Sequence, residues 1–316
     1  MEMETAYYGA SGPSQDDCFF LAQRYNKEWG YKPREGESWI VANRILKNQP
    51  LVGFPFGTGN WLTGCWRSEN GTLWVSDAFK QVLCNRGIRD DHWGERSFET
   101  YPIEASLHGI WGVSDACVFT WGARFDKGAF NYPVFQWNGE VWTELPTPGF
   151  QVMAMHGLAP DFVYAVGYDT GIAIWNGSTW RRWAAPGPEL LTSVFVASRE
   201  EAYAVGVQGG VLQGSPYGWA KIAQSPFSPI PLSAVAKWKE QLWIGGGASG
   251  LLRRVGKSDQ LEVVKPNVHA IGLDARHELV ISCSDKIAGT ADGVSFSSVG
   301  QGVVLNMRAG RELNQF

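Results

Sequence analysis

Short apolar runs, each closed by a polar turn, recur along the chain at nearly even spacing. The clearest copies are "FVYAVGYDTG" and "EAYAVGVQGG". Looser ones are "QLWIGGGASG" and "CVFTWGARFD", and "TLWVSDAF" and "ELVISCSD" keep only the outline. These runs are apolar without alternation, which is the pattern of a strand covered on both faces. The segments around them read as three further strands per unit. In one unit, "VMAMHGLAP" precedes the run, and "GIAIWNG" and "TWRRWAAPG" follow it. The last strand of each unit is the most polar, as an exposed sheet edge should be. Asn138–Gly139 and Asn176–Gly177 each sit between tryptophans (Trp137 and Trp142, Trp175 and Trp180) and predict tight hairpins with type I′ turns.

The anchors Trp74, Phe119, Tyr164, Tyr203, Trp243 and Val280 are 45, 45, 39, 40 and 37 residues apart. A repeat of about 40–50 residues built from four strands is the unit of a β-propeller. The expected fold is therefore an all-β, seven-bladed propeller, with six or eight blades as the alternatives, formed by residues 1–316 as a single domain. "TAYYGASG" supplies a further anchor at Tyr7 or Tyr8, in second-strand position, and "GVVLNMRAG" near the C-terminus reads as a first strand without partners. Together they predict a ring closed by pairing the C-terminal strand with the N-terminal blade. The 67 residues from Tyr7 to Trp74 exceed one repeat, so an irregular insertion is expected around 26–60, with "ESWIVANRILKN" as a short helix.

Composition sharpens this picture. Among 316 residues there are 38 Gly and 16 Trp, 44% are hydrophobic and 18% charged, which fits short strands, tight turns and a sizeable core. The net charge of −4 argues against an electrostatic nucleic-acid binder and is compatible with a basic protein partner. Five scattered cysteines without a C-x-x-C pair point to a reducing compartment. "MEMETAYYGASG" has neither a basic segment nor an apolar core, so a cytoplasmic, monomeric ring with no membrane contact is expected. The five histidines are not at metal-ligand spacing, so no metal and no cofactor are expected. His108 and His156 stand in similar inner-strand contexts ("SLHGIWG", "AMHGLAP") and are expected to be satisfied by neighbouring backbone rather than to pair in the channel.

"GTADGVSFSSV", with Thr290, Asp292, Gly293 and Phe296, resembles a degenerate Asp-box, the hairpin of sialidase-like propellers and photosystem assembly factors. The Trp-Asn-Gly hairpins occupy the same place in their units. A sialidase resemblance would imply three arginines clamping a carboxylate, a Tyr–Glu nucleophile pair, an acidic Asp and an Arg-Ile-Pro stretch. That stretch is missing, and Arg24, Arg34 and Arg44 are the early arginines available. The shared motifs specify turns and leave the ligand open.

Function is expected where the repeat is broken. The insertion carries Trp29, Tyr31, Arg34, Phe54 and Phe56; "NRGIRDDHWGER" carries Arg89, Asp90, Asp91, His92 and Trp93; and "ARFDKGAFNY" carries Arg124, Asp126 and Lys127. Aromatic and arginine side chains are common interface anchors. The leading expectation is a non-catalytic protein-binding propeller with no catalytic residues, in its specific form an immunity or inhibitor protein neutralising a basic toxin or effector domain. The alternatives are a glycan-binding lectin or sialidase-like hydrolase, with tryptophans as sugar platforms, and an assembly chaperone.

Overall fold

A strand that is apolar on both faces is stable only if two neighbouring sheets cover it, and a closed ring of sheets meets that demand for every member. The computed structural model describes residues 3–26, 37–46, 49–87, 97–187 and 190–300. Blade 1 is β1 (Met3–Ser14), β2 (Asp17–Asn26), β3 (Glu37–Leu46) and β4 (Gln49–Thr58); blade 2 is β5 (Leu62–Arg67), β6 (Leu73–Asp77), β7 (Gln81–Asn85) and β8 (Glu99–Pro102). Blade 3 is β9 (Ser106–Ser114), β10 (Cys117–Asp126), β12 (Val134–Trp137) and β13 (Trp142–Leu145), with the short β11 (Ala129–Asn131) extending β10 beyond the blade. Blade 4 is β14 (Val152–Ala159), β15 (Phe162–Gly167), β16 (Gly171–Trp175) and β17 (Trp180–Ala184); blade 5 is β18 (Leu191–Ser198), β19 (Glu201–Gly206), β20 (Gly210–Ser215) and β21 (Gly218–Gln224). Blade 6 is β22 (Ala234–Trp238), β23 (Gln241–Gly245), β24 (Leu251–Arg254) and β25 (Leu261–Lys265); blade 7 is β26 (Ala270–Ala275), β27 (Leu279–Cys283), β28 (Lys286–Thr290) and β29 (Ser297–Gly300).

Among the described residues, strands within each blade pair antiparallel, and the first strands pack in turn around the axis until β26 meets β1. The protein is thus an all-β, seven-bladed β-propeller. The six anchors from Trp74 to Val280 all lie in second strands, and β6, β15 and β27 are buried along their whole length. The outer strands β13 and β17 are largely exposed. Each core cluster is shared by adjacent blades. Tyr164, Val166 and Ile172 of blade 4, for example, meet Leu191, Val194 and Leu212 of blade 5.

Blade 1 departs from expectation. It has four strands of its own, so Tyr7 and Tyr8 stand in the first strand rather than the second. Its anchor is Phe19 in β2, which the sequence disguises because "CFFLAQ" lacks the Tyr-Ala-Val-Gly run shared by "FVYAVGYDTG" and "EAYAVGVQGG". Glu37–Leu46, expected as a short helix inside an insertion, is strand β3, and 49–58 is β4. Buried Val41 and Ile40 need cover on both faces, and a helix at that position would leave the β2 edge unpaired. Residues 302–310, expected to close the ring, lie outside the described residues. Among the described residues, closure is made by Tyr7, Phe20 and Val41 packing on Val280 and Ile287, by Tyr7 N–H donating to Ser284 O (3.1 Å), and by Glu278 N–H donating to Pro13 O (3.0 Å).

The Trp-Asn-Gly hairpins are real, but their turns differ from type I′. Trp137 pairs with Trp142 and Trp175 with Trp180, leaving four-residue loops in which Gly139 and Gly177, and not the asparagines, take positive φ. The Asn138 side chain accepts the N–H groups of Glu140 and Val141, and Asn176 accepts those of Ser178 and Thr179. Asp292 does the same for Val294 and Ser295, and these bonds hold its carboxyl down to about 2. The three hairpins therefore share one side-chain-capped turn. That geometry is local, and it assigns the chain to no sialidase-like family.

The repeated glycine after the anchor has a steric cause. At Gly167 a Cβ would lie 2.0 Å from Gln151 O, where the chain enters the first strand of its blade; at Gly122 it would lie 2.0 Å from Ser106 O. Gly167→Ala should cost roughly 1–3 kcal/mol by forcing these backbones apart. Gly59→Ala, with nothing within 4 Å, should be close to neutral. Denaturant unfolding of the two variants beside the parent checks the contrast, and equal stabilities would contradict it.

Candidate functional site

The antiparallel order gives the ring two distinct faces. One, here the front, carries the turns that follow first strands and the hairpins between third and fourth strands. The rear carries the connections between second and third strands. Of the residues expected to bind a partner, Trp29, Tyr31 and Arg34 (β2–β3 connection) and Arg89, Asp90, Asp91, His92 and Trp93 (β7–β8 connection) lie outside the described residues. Phe54 and Phe56 are placed on β4 as packing residues. Phe54 joins the cluster of Tyr7, Trp39 and Val41, and the Phe56 ring meets Phe98 at 5.2 Å.

Arg124, Asp126 and Lys127 come together at the rear in the β10–β11 hairpin. Lys127 (φ 50°) and Gly128 (φ 83°) form its two-residue turn, with positive φ at both positions as type I′ geometry requires. Arg124 braces the root with a two-pronged contact to Glu144, both bonds 3.0 Å long. Asp126 and Lys127 project into solvent. The sequence reading missed the pair they flank. Phe125 and Phe130 are cross-strand partners with ring centroids 5.2 Å apart, and both are about two-thirds exposed, at 65% and 64%. Their symmetric placement about Lys127–Gly128 was the available signal, because a ribbon standing clear of its blade has no core in which to hide them.

The second site is the axis itself. A cavity of about 380 Å³ is lined by residues of all seven first strands. Ladder register puts the residues opposite the anchors at one level: Ser11, Trp66, Trp111, His156, Phe195, Ala236 and Asp274. One arc of the wall is aromatic. The His156 ring lies between Trp111 (5.1 Å) and Phe195 (4.6 Å), and its Nδ1 accepts the Val196 N–H at 3.1 Å. The opposite arc is charged. Asp274 accepts from Arg276 Nε (3.1 Å), Ser11 Oγ (3.1 Å) and Gly12 N–H (3.0 Å), and Arg276 Nη2 also donates to Ser11 Oγ. Beside this arc, Arg67 donates to Asp17 Oδ1 at 2.8 Å, and Arg44 approaches the same oxygen at 3.3 Å.

The expectation for His156 thus holds in its bond to neighbouring backbone, although its ring does line the channel. Its structural equivalent is Trp111, three residues beyond His108, and His108 instead meets Gln151 at 3.5 Å. Burial pushes the His108 imidazole down, and burial followed by the Arg276 charge takes His156 to about 4. Burial, then the Asp274 charge, pushes the Cys65 thiol of the cavity wall up to about 12. Arg24 and Arg44 sit at opposite ends of the β2–β3 ladder and do not converge on a ligand. Trp137 and Trp175 are buried beside Trp142 and Trp180, so these rings serve blade packing. Among the described residues no group of three or more His, Cys, Asp or Glu could hold a metal ion.

The His156 shift carries a pH consequence. The unfolded chain takes up this proton near the ordinary value of 6.5, whereas the folded protein does so only near 4. The folded state is therefore at full advantage above pH 6.5 and loses stability as pH falls toward 4. Thermal midpoints measured from pH 7 to pH 4 should decline less steeply for His156→Asn than for the parent. Identical slopes would contradict this assignment.

No family model matches the sequence, and no curated protein matches it. Solved structures do match in fold. The WD40 β-propeller domain of Doa1 is similar at 8% identity with a TM-score of 0.69, covering 90% of this chain and 92% of that one. YCF48 bound to D1 peptide is similar at 11% identity with a TM-score of 0.61, covering 89% and 92%. A chain of the mitotic checkpoint complex is similar at 9% identity with a TM-score of 0.64, covering 89% and 87%. At these identities the shared property is the propeller architecture.

Proposed function

We propose that this chain is a non-catalytic protein-binding propeller that docks its partner on the rear face through the Phe125–Phe130 hairpin. The observation that carries this reading is the exposed aromatic pair, held in fixed register by a two-residue turn and braced by Arg124 and Glu144. Isolated exposed apolar residues need no explanation, but two rings paired on a protruding ribbon have the composition of an interface anchor. A rigid ring loses little conformational freedom when it binds, which favours such pre-organised recognition. The fold-level likeness to propellers such as the one bound to D1 peptide supports a peptide or protein partner.

The finer reading makes the chain an immunity or inhibitor protein whose partner is a basic toxin or effector domain, and its support is the net charge of −4. A cytoplasmic setting belongs to the same proposal and is supported by five free thiols, four of them buried.

The test is affinity capture from cell lysate with the parent chain and with a Phe125→Ser/Phe130→Ser double variant. Loss of a buried aromatic anchor typically costs about 2 kcal/mol or more, so each substitution should weaken capture roughly 30-fold. The thermal midpoint should stay unchanged, because neither ring touches a blade core. A partner retained equally by both proteins would refute the docking site. Recovery of a basic toxin domain would support the finer reading.

A further inference from the structure

We propose that the central channel is a second binding site, built to take a carboxylate against His156 and Arg276. The argument starts from the tautomer of His156. Its Nδ1 accepts a main-chain N–H from the next blade, so the ring proton sits on Nε2. Both faces of the ring are covered by Trp111 and Phe195, which leaves the edge bearing Nε2–H to face the cavity. Among the described residues this N–H has no acceptor. Arg276, on the same cavity wall, uses Nε for Asp274 and Nη2 for Ser11, and Nη1 keeps its donors. Ser193, also on the wall, accepts the Val235 N–H at 3.2 Å and so has a hydroxyl proton to give.

The cavity therefore presents donors on both sides. Of the carboxylates on its wall, Asp274 is already taken up by Arg276, Ser11 and Gly12, and Glu69 is exposed. The complement of a donor-rich, partly aromatic cavity is a carboxylate attached to a flat apolar group. A guanidinium and a neutral imidazole N–H can both bond its oxygens, and the apolar part can lie along Trp111 and Phe195. A volume of about 380 Å³ suits a small aromatic acid or one acidic side chain of a peptide with its neighbour.

Titration calorimetry with four probes tests this: phenylacetate, its neutral counterpart phenylacetamide, the blocked peptide acetyl-Gly-Phe-Glu-Gly-amide, and the same peptide with Gln for Glu. At least one acid should bind about tenfold or more tightly than its amide counterpart, as expected for charge-assisted hydrogen bonds. Arg276→Gln should abolish that preference. His156→Asn, which can keep an oxygen near the Nδ1 position for the Val196 N–H, should reduce it about threefold. Preference shown only by phenylacetate assigns the site to a free small acid, and preference shown by the peptide assigns it to a side chain of a partner. Should Arg276→Gln fail to fold, the His156 Nε2–H proton resonance of the parent decides the same question, since acid but not amide should move it downfield. Equal binding of acids and amides, or a resonance that no acid moves, overturns the proposal.

Discussion

Face-to-face contact between neighbouring sheets is the constraint from which the rest follows. Each second strand lies in the middle of its blade and is covered on both sides by the next blade and the last. This is why β15 and β27 contain no exposed residue and why Trp74, Trp243 and Tyr164 are almost wholly buried. At roughly 2–3 kcal/mol for a fully buried large side chain, the ring of anchors contributes on the scale of a whole domain's net stability. Close stacking also forces the small residues. Gly122 and Gly167 stand where the main chain of the entering strand crosses within reach of a single extra carbon.

The same constraint explains how much the sequence reveals. Continuous apolar runs at forty-residue spacing leave few alternatives to a propeller, and six anchors were legible because each blade repeats the same packing problem. Blade 1 was misread because β2 solves it with Phe19, Phe20 and Leu21 in place of the usual signature, which displaced the anchor to Tyr7 and turned β3 and β4 into an apparent insertion. Turn chemistry was half legible. Asn138 and Asn176 do close hairpins, but as side-chain acceptors and not as left-handed residues, a distinction that depends on loop length and not on the Asn-Gly pair.

The sites were harder to read because they depend on placement more than on residue type. In the β10–β11 ribbon the charged residues drew attention, yet Arg124 is spent on Glu144, and the exposed chemistry belongs to Phe125 and Phe130. In the channel, Trp111, His156, Phe195, Asp274 and Ser11 are scattered over the chain and share only a register position. Aligning the units strand by strand, rather than by their best-matching letters, would have put these side chains on one ring. Hairpin and channel differ in character: one is an apolar projection at the rear, the other a polar hollow around the axis.

The charged arc has a mechanical meaning as well. Asp274 belongs to the last blade, while the Ser11 hydroxyl and the Gly12 amide that hold it belong to the first. Arg276 reaches across the same boundary to Ser11, and the Arg67 amide of blade 2 closes on that hydroxyl from the other side at 2.9 Å. One serine thus clasps three consecutive blades where the circle begins and ends. Whatever disturbs this knot reaches the seam of the wheel, so the lining of the hole and the fastening of the rim are one piece of hardware.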